Sequence, residues 1–397
     1  MSGRFESLRC VQEANVEGKR VLIRVDFNVP LRDGRVGDDS RIRAALPTVQ
    51  LLRDKGAVPI LASHLGRPEG HVVPEMSLQP VADQLSTILG DEIVFLKDCV
   101  GDAIRQQILD VPSGTIVLLE NVRFHEEEVE NQPSFARALA DLADVFVNDA
   151  FATLHRSHAS TSGVADYLPS YAGLLIQHEL KALSHLLDDP ARPYVAIVGG
   201  KKAKSKLGPL RDLVNHVNEV LIGGGVAFTF LRAMGSPVGA SYVEHSLLDD
   251  IREIIRLAEQ RDVTLTLPED VIAAPEFAEG VETQECPLDQ IPEGWLGLDI
   301  GPKTIESFAR RLDAARSIIW TGPLGAFEIA PFDRGTRQIA EVLSKVNAYT
   351  VVGGGETGEA ISSSGFGDQI GHISTGGGAC LALLRGKRLP ALEALGV

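Results

Sequence analysis

Two doubly wound parallel-sheet α/β domains, Rossmann-like and joined by a helix, are the architecture this sequence predicts. Three observations predict it: short β-branched runs alternate with amphipathic helical stretches along the chain, the alternation comes in two sets, and a helical stretch free of glycine and proline separates the sets. A chain of 397 residues exceeds one ordinary core and suits two.

In the first set, residues 21–25, 57–61, 115–119 and 144–147 are short and mostly apolar, as strands covered on both faces of a parallel sheet are. Helical periodicity fills residues 41–55 and 80–89 between them. Residues 174–187 form the separating helix, which Pro190 and Pro193 terminate, so the connector is stiff. The second set comprises residues 194–198, 219–222, 264–267, 298–300, 317–320 and 349–352, which are expected to build a second sheet. Ligands of such sheets collect beyond the carboxyl ends of the strands.

Composition narrows the function. With 44% hydrophobic and 23% charged residues the chain is globular, and a net charge of −16 excludes a general nucleic-acid or membrane-surface binder, which the surface would repel. Cys10, Cys99, Cys286 and Cys380 form no Cys-x-x-Cys pair, and residues 1–20 lack the apolar run of a signal peptide. A cytoplasmic protein is expected.

Against this acidic background, basic residues gather just after the first-set strands. Arg24-Val25-Asp26-Phe27-Asn28 leaves the first, Ser63-His64-Leu65-Gly66-Arg67 the second, Glu120-Asn121-Val122-Arg123 the third and Asn148-Asp149 the fourth, followed by His155-Arg156-Ser157-His158. One such side chain is ordinarily a solvated surface group, but four strands ending alike point to a shared ligand. Arginines converging on Asp26 and Asn28 suit a small, highly anionic molecule that also carries a hydroxyl. A metal held by His64, His155 and His158 is not supported, because the spacing is not that of His-Glu-x-x-His and the arginines would repel a divalent ion.

The second set carries glycine instead. Gly199-Gly200 leads into a run with Lys201, Lys202, Lys204 and Lys206, and triplets occur at residues 223–225, 353–355 and 376–378. Glycine lets free main-chain amides approach an anion at a helix start. No Walker A sequence is present, so the nucleotide chemistry is not that of a P-loop enzyme. Gly353, Gly355 and Gly358 satisfy the dinucleotide pattern Gly-x-Gly-x-x-Gly, which keeps an NAD-linked dehydrogenase as an alternative, although no acidic residue closes a following strand. A non-catalytic anion binder is a third reading, and it leaves the lysines and Glu356 without a role.

Nine blocks resemble, in family order, the signatures of phosphoglycerate kinase: residues 24–30, 63–68, 120–124, 148–151, 199–207, 298–304, 322–328, 353–357 and 372–378. The resemblance implies an N-terminal domain for 3-phosphoglycerate over residues 1–173, a connecting hinge over 174–190, a nucleotide domain over 191–372, and a tail, 373–397, that returns to the first domain. It implies that the domains face each other across a cleft and close over the substrates. By matching positions, Asp26, Phe27, Asn28, Arg41, His64, Leu65, Gly66, Arg67, Arg123 and Arg156 would bind the triose acid. Lys206, Gly325, Glu328, Gly354, Gly355, Glu356 and Thr357 would bind ATP or ADP, with Glu328 at the ribose and Glu356 holding Mg²⁺. Transfer itself would fall to Arg41, Lys202, Lys206, Gly355 and Gly378, in a monomer with no nucleic-acid or membrane partner. The sequence departs from the family pattern where Glu356 replaces an aspartate, Thr321 an asparagine and Ser205, in many members, an aspartate. Glu356 sets its carboxylate one methylene farther from the backbone.

Overall fold

The computed structural model describes residues 3–397. It divides into two compact units, one formed by the chain up to Ser184 together with Arg388–Val397, the other by His185–Lys387.

The first unit is built on six parallel strands, β1 (Arg20–Arg24), β4 (Val58–Ala62), β5 (Ile93–Leu96), β6 (Ile116–Leu119), β7 (Val145–Asn148) and β8 (Ser170–Ala172), in the order β5-β6-β4-β1-β7-β8. A two-stranded hairpin, β2 (Leu31–Arg32) and β3 (Arg35–Val36), turns through Asp33 and Gly34, both at positive φ as a two-residue hairpin turn requires. Successive side chains of a strand face opposite ways, so β1 sends Val21 and Ile23 into a core with Val49, Leu52 and Leu85, and Leu22 into another with Val117, Leu139 and Phe146. Two apolar faces explain why these strands read as hydrophobic runs. The helix Leu174–Leu187 begins under the carboxylate of Asp149, which accepts from the amides of Leu175 (2.9 Å) and Ile176 (3.3 Å).

The second unit has six parallel strands, β9 (Tyr194–Val198), β10 (Glu219–Ile222), β11 (Thr264–Thr266), β15 (Ser317–Thr321), β16 (Tyr349–Gly353) and β17 (His372–Ser374). Their order, β11-β10-β9-β15-β16-β17, reverses direction between β9 and β15, the switch point at which doubly wound sheets take their ligands. A separate antiparallel sheet holds β12 (Asp270–Ala274), β13 (Gln284–Pro287) and β14 (Leu296–Ile300), ordered β13-β12-β14.

Two expectations need correction. Residues 298–300 do not join the second parallel sheet; they end β14, whose half-exposed alternation belongs to an antiparallel strand paired with β12. The returning tail is shorter than residues 373–397: β17 and the helix Gly377–Leu384 pack in the second unit, where Arg385 pairs with Asp212, and only Arg388–Val397 groups with the first. There Leu389, Leu392 and Leu395 are buried, and the amide of Ala391 donates to the carbonyl of Leu154.

Candidate active site

In the first unit the segments leaving β1, β4, β6 and β7 are laced together. Asn28 Oδ1 accepts from the amide of Gly66 (2.9 Å), while the Gly66 carbonyl accepts from Arg123 Nη1 (2.8 Å). Asn121 caps the short turn Val122–Phe124 by accepting from the amide of Arg123 (3.1 Å), and donates to the carbonyls of Leu65 (2.8 Å) and Met76 (3.0 Å). Gly66 sits at φ 65° with Met76 Sδ only 2.7 Å from where a Cβ would be, so a side chain here would be strained and would have to displace Met76. Phe27 and Leu65, expected to contact the triose acid, bury their side chains, and the Phe27 amide donates to Ser63 Oγ (2.8 Å) while the Leu65 carbonyl accepts from Asn121. Arg41 Nη1 grips Asp26 Oδ2 at 2.5 Å.

The grip is unfinished in a telling way. Arg123 is 5% exposed, yet its Nε and Nη2 have no hydrogen-bond partner, nor does Nδ1 of buried His158. Unpaired buried donors cost roughly 1–3 kcal/mol each. Arg67, Arg123, Arg156 and His158 line one cavity of ≈ 430 Å³ together with Glu69, Glu126 and Glu130, so the unpaired Arg123 donors open on a space that an anion could enter on its arginine side. The basic groups' mutual repulsion registers in their acidities. Burial first, then Arg156 and Arg24, lower the Arg123 pKa to about 10; burial, Arg123 and Arg156 hold His158 down at about 4. Burial and the surrounding Arg24, Arg123, Arg156 and Arg41 push His64 well below the usual histidine range. These perturbations all relax if negative charge enters.

In the second unit the turns after β9, β10, β15, β16 and β17 crowd together through glycine. A Cβ on Gly199 would fall 2.2 Å from the Pro323 carbonyl oxygen, and one on Gly377 would fall 2.3 Å from Cα of Gly354, which itself sits at φ 125°. The helices Gly355–Ser363 and Gly377–Leu384 therefore start side by side, with Glu356 in the first turn of one and exposed Gly378 in the first turn of the other. Buried Thr357 accepts from the Gly322 amide (2.7 Å). Lys206 Nζ donates to Thr321 Oγ1 (3.1 Å), so the threonine at an unusual family position supplies the lysine's anchor. Burial lowers the Lys206 pKa, and Glu356 partly restores it.

Three expected nucleotide-side residues are placed less tightly. Lys202 and Glu328 are exposed, and among the described residues neither side chain has a hydrogen-bond or ion-pair partner. Gly325 is a packing glycine, its Cβ position lying 2.1 Å from Asp299 Oδ1. The exposed carboxylate of Glu356, beside two helix N-termini that favour phosphate, is a donor of the kind Mg²⁺ takes, since that ion uses one or two carboxylates with waters and phosphate oxygens.

Among the described residues one other group has metal-ligand composition: Asp98, Cys99 and His125, with donor atoms within 4.8 Å of one another. Asp98 and His125 already satisfy each other at 2.8 Å, and burial with Asp98, Glu128 and Glu120 raises the Cys99 thiol well above its ordinary value. Sequence reasoning missed Glu128, Ser160 and the inward role of Arg24, all buried behind the arginines. The available signal was Arg24 itself, an arginine within an otherwise apolar strand.

Two α/β units, one with side-chain anion ligands and one with glycine turns at helix starts, define an enzyme of the phosphotransferase class that lacks a P-loop. The phosphoglycerate kinase family model matches residues 11–387. Phosphoglycerate kinase of Pelotomaculum thermopropionicum is 51% identical over 387 residues, covering 98% of each chain, and that of Synechococcus elongatus is 48% identical over 98% of each. Among solved structures, phosphoglycerate kinase of Coxiella burnetii matches with a TM-score of 0.85 at 40% identity and that of Pyrococcus horikoshii with 0.87 at 31%, both over 98% of each chain. The chain belongs to the phosphoglycerate kinase family. The Gly-x-Gly-x-x-Gly match at Gly353 therefore does not mark this chain as a dehydrogenase, and β17 closes without an acidic residue.

Proposed function

We propose that this protein transfers a phosphoryl group reversibly between ATP and the carboxylate of 3-phosphoglycerate, giving ADP and 1,3-bisphosphoglycerate. The observation that carries the reading is the pair of unpaired, buried Arg123 donors in the cavity shared with Arg67 and Arg156. A dianionic phosphate monoester fits that cavity, with Asp26 and Asn28 left to take the hydroxyl.

A carboxylate oxygen of the acid attacks the γ-phosphorus while the bond to the β,γ-bridging oxygen breaks. That carboxylate is ionised at neutral pH, so no general base is required. Positioning and charge neutralisation supply the rate. Arg41 meets the in-flight charge from the acid's side and Lys206 from the nucleotide's, with Lys202 as its neighbour, while the amides of Gly354, Gly355 and Gly378 receive phosphate oxygens. Thr357 steadies the phosphate turn, and Glu328 takes the ribose with Gly325 in the preceding turn. Glu356 would hold Mg²⁺, which neutralises nucleotide phosphate charge when bound. Substrates carried on separate units meet by closure about the helix Leu174–Leu187, which also keeps water from the acyl phosphate. The reading makes the protein a cytoplasmic monomer.

The test is a coupled assay with 3-phosphoglycerate and MgATP, trapping the product with hydroxylamine, beside an NAD titration. Acyl hydroxamate formation is expected. NAD binding without it would restore the dehydrogenase reading, and 3-phosphoglycerate binding without turnover the simple anion binder.

A further inference from the structure

Behind the arginine cluster lies a buried polar chain that ends on His64 and whose Glu128 Oε1 comes within 3.8 Å of Nδ1 of the cavity-lining His158. Glu128 and Arg24 are both 0% exposed, and Ser160 is 1% exposed. Glu128 Oε2 accepts from the Ser160 amide (2.8 Å) and Oε1 from the Ser160 hydroxyl (2.6 Å). The same hydroxyl oxygen accepts from Arg24 Nε (2.8 Å), Arg24 Nη1 is fixed by the Val25 carbonyl, and Nη2 lies 3.1 Å from His64 Nδ1.

A guanidinium has only N–H donors. His64 Nδ1 must therefore offer a lone pair, which leaves Nε2 as the ring's one N–H. A protonated ring would set N–H against N–H between two like charges. Asp26 Oδ1, at 3.9 Å from Nδ1, is too distant to capture a proton there, and its other oxygen is held by Arg41. The remaining charged neighbours of the ring, Arg123, Arg156 and Arg41, are cationic and oppose protonation.

We propose that the Glu128–Ser160–Arg24 chain is a positioning device that fixes His64 as the neutral, Nε2-protonated tautomer, so that it presents one uncharged donor to the carboxylate of the triose acid. The purpose follows from the reaction. The attacking oxygen must stay nucleophilic, and an imidazolium would draw charge from it or surrender a proton to it, whereas a neutral N–H orients it only. Glu128 holds Arg24 through Ser160, and Arg24 holds the ring. This inference rests on the functional reading above for the identity of the ligand.

The experiment uses full-length protein labelled with ¹⁵N in histidine and long-range ¹H–¹⁵N correlation spectra from pH 8 to pH 5. His64, assigned by its absence in His64→Gln, is expected to show a protonated Nε2 and bare Nδ1 throughout, with the Nε2 signal moving on addition of 3-phosphoglycerate. Ser160→Ala is expected to mix the tautomers and lower kcat/KM for 3-phosphoglycerate about 10-fold, as a misplaced positioning group does. Ser160→Thr keeps the hydroxyl and should recover the single pattern. If Ser160→Ala does not fold, Glu128→Gln, which keeps one acceptor oxygen for Ser160, should give a milder form of both effects. A wild-type ring that carries its proton on Nδ1 or is charged at pH 7 overturns the proposal. So does a Ser160→Ala protein that loses thermal stability alone while its tautomer and kcat/KM stay unchanged, or a ligand titration that leaves Nε2 unmoved. A wild-type protein with the expected spectra and no acyl phosphate formation would instead sink the functional reading, since the spectra report the tautomer without turnover.

Discussion

Under the proposed function, Arg123 in the first unit and Gly354 in the second would answer the same problem, a place for a phosphate-like anion, by opposite means. Arg123 brings a full charge on a long side chain whose position must be enforced by a scaffold, here Asn121 under its amide and the Gly66 carbonyl on Nη1. Gly354 brings no side chain at all, and its positive φ with Gly377 pressed against it exposes the start of a helix. Charge placed on buried side chains is desolvated and repels itself before the ligand arrives: burial first, then the neighbouring arginines, depress the Arg123 and His158 pKa values. Helix-start amides carry partial charge only, and they are preset by backbone packing. On that reading the first unit would gain strength and specificity at the cost of desolvated charge, and the second a rigid, tolerant seat for a nucleotide tail.

The contrast yields tests in order of size. Arg41→Ala should cut kcat at least ~10²-fold with a smaller change in KM, because its contact strengthens as the phosphoryl charge develops. A change in KM alone would confine Arg41 to ground-state binding, making the first unit no more catalytic than the second. Gly377→Ala should raise the Kd for ATP about 30-fold and leave that for 3-phosphoglycerate unchanged by calorimetry, since a Cβ 2.3 Å from Gly354 Cα must part the two helix starts. Equal losses for both ligands would mean that the glycine contact serves the whole fold. Glu356→Gln should raise the Mg²⁺ concentration needed for half-maximal rate about 10-fold, with the rate at saturating Mg²⁺ nearly kept. An unchanged Mg²⁺ dependence would remove Glu356 as a ligand.

The same contrast decides what could be read beforehand. Side-chain anion ligands announce themselves by residue type, and of the first-unit set Arg67, Arg123 and Arg156 share one cavity while Asp26 pairs with Arg41 and Asn28 with the Gly66 amide. Strands buried on both faces, such as Tyr194–Val198 and Glu219–Ile222, were equally legible because nothing but a sheet interior accepts such runs. Strand β14 was visible as a strand but not as an antiparallel one, because three residues, Leu298-Asp299-Ile300, do not specify a partner. The edge strands β5, β8 and β17 were not anticipated, being three or four residues long and partly exposed. Glu128 and Ser160 were illegible for a different reason: a buried polar network depends on which loops meet, and residue types common in solvent carry no mark of it.

Asp149 offers the smallest and most local test, at the point where the first sheet passes into the connecting helix. Desolvation raises its pKa from 3.8 to about 7, against the hydrogen bonds from Ile176 and Leu175 that favour the anion. The folded state consequently binds more protons than the unfolded one between those two values, so this group's contribution to stability falls as pH rises from about 4 to about 7 and is flat above. Asp149→Asn keeps an oxygen for the two helix amides and removes the titration. Urea unfolding of the first unit should therefore become less pH-dependent, with the variant gaining ~1–2 kcal/mol relative to the parent between pH 5 and pH 8, less than the full shift because the lost charge also favoured the helix start. Asp299 in the second unit is raised in the same sense by burial while accepting from Gly335 and Ile300. Asp299→Asn should then flatten the transition of that unit instead. If either variant altered both transitions alike, the two cores would unfold as one body, and the division of labour between them would be chemical without being mechanical.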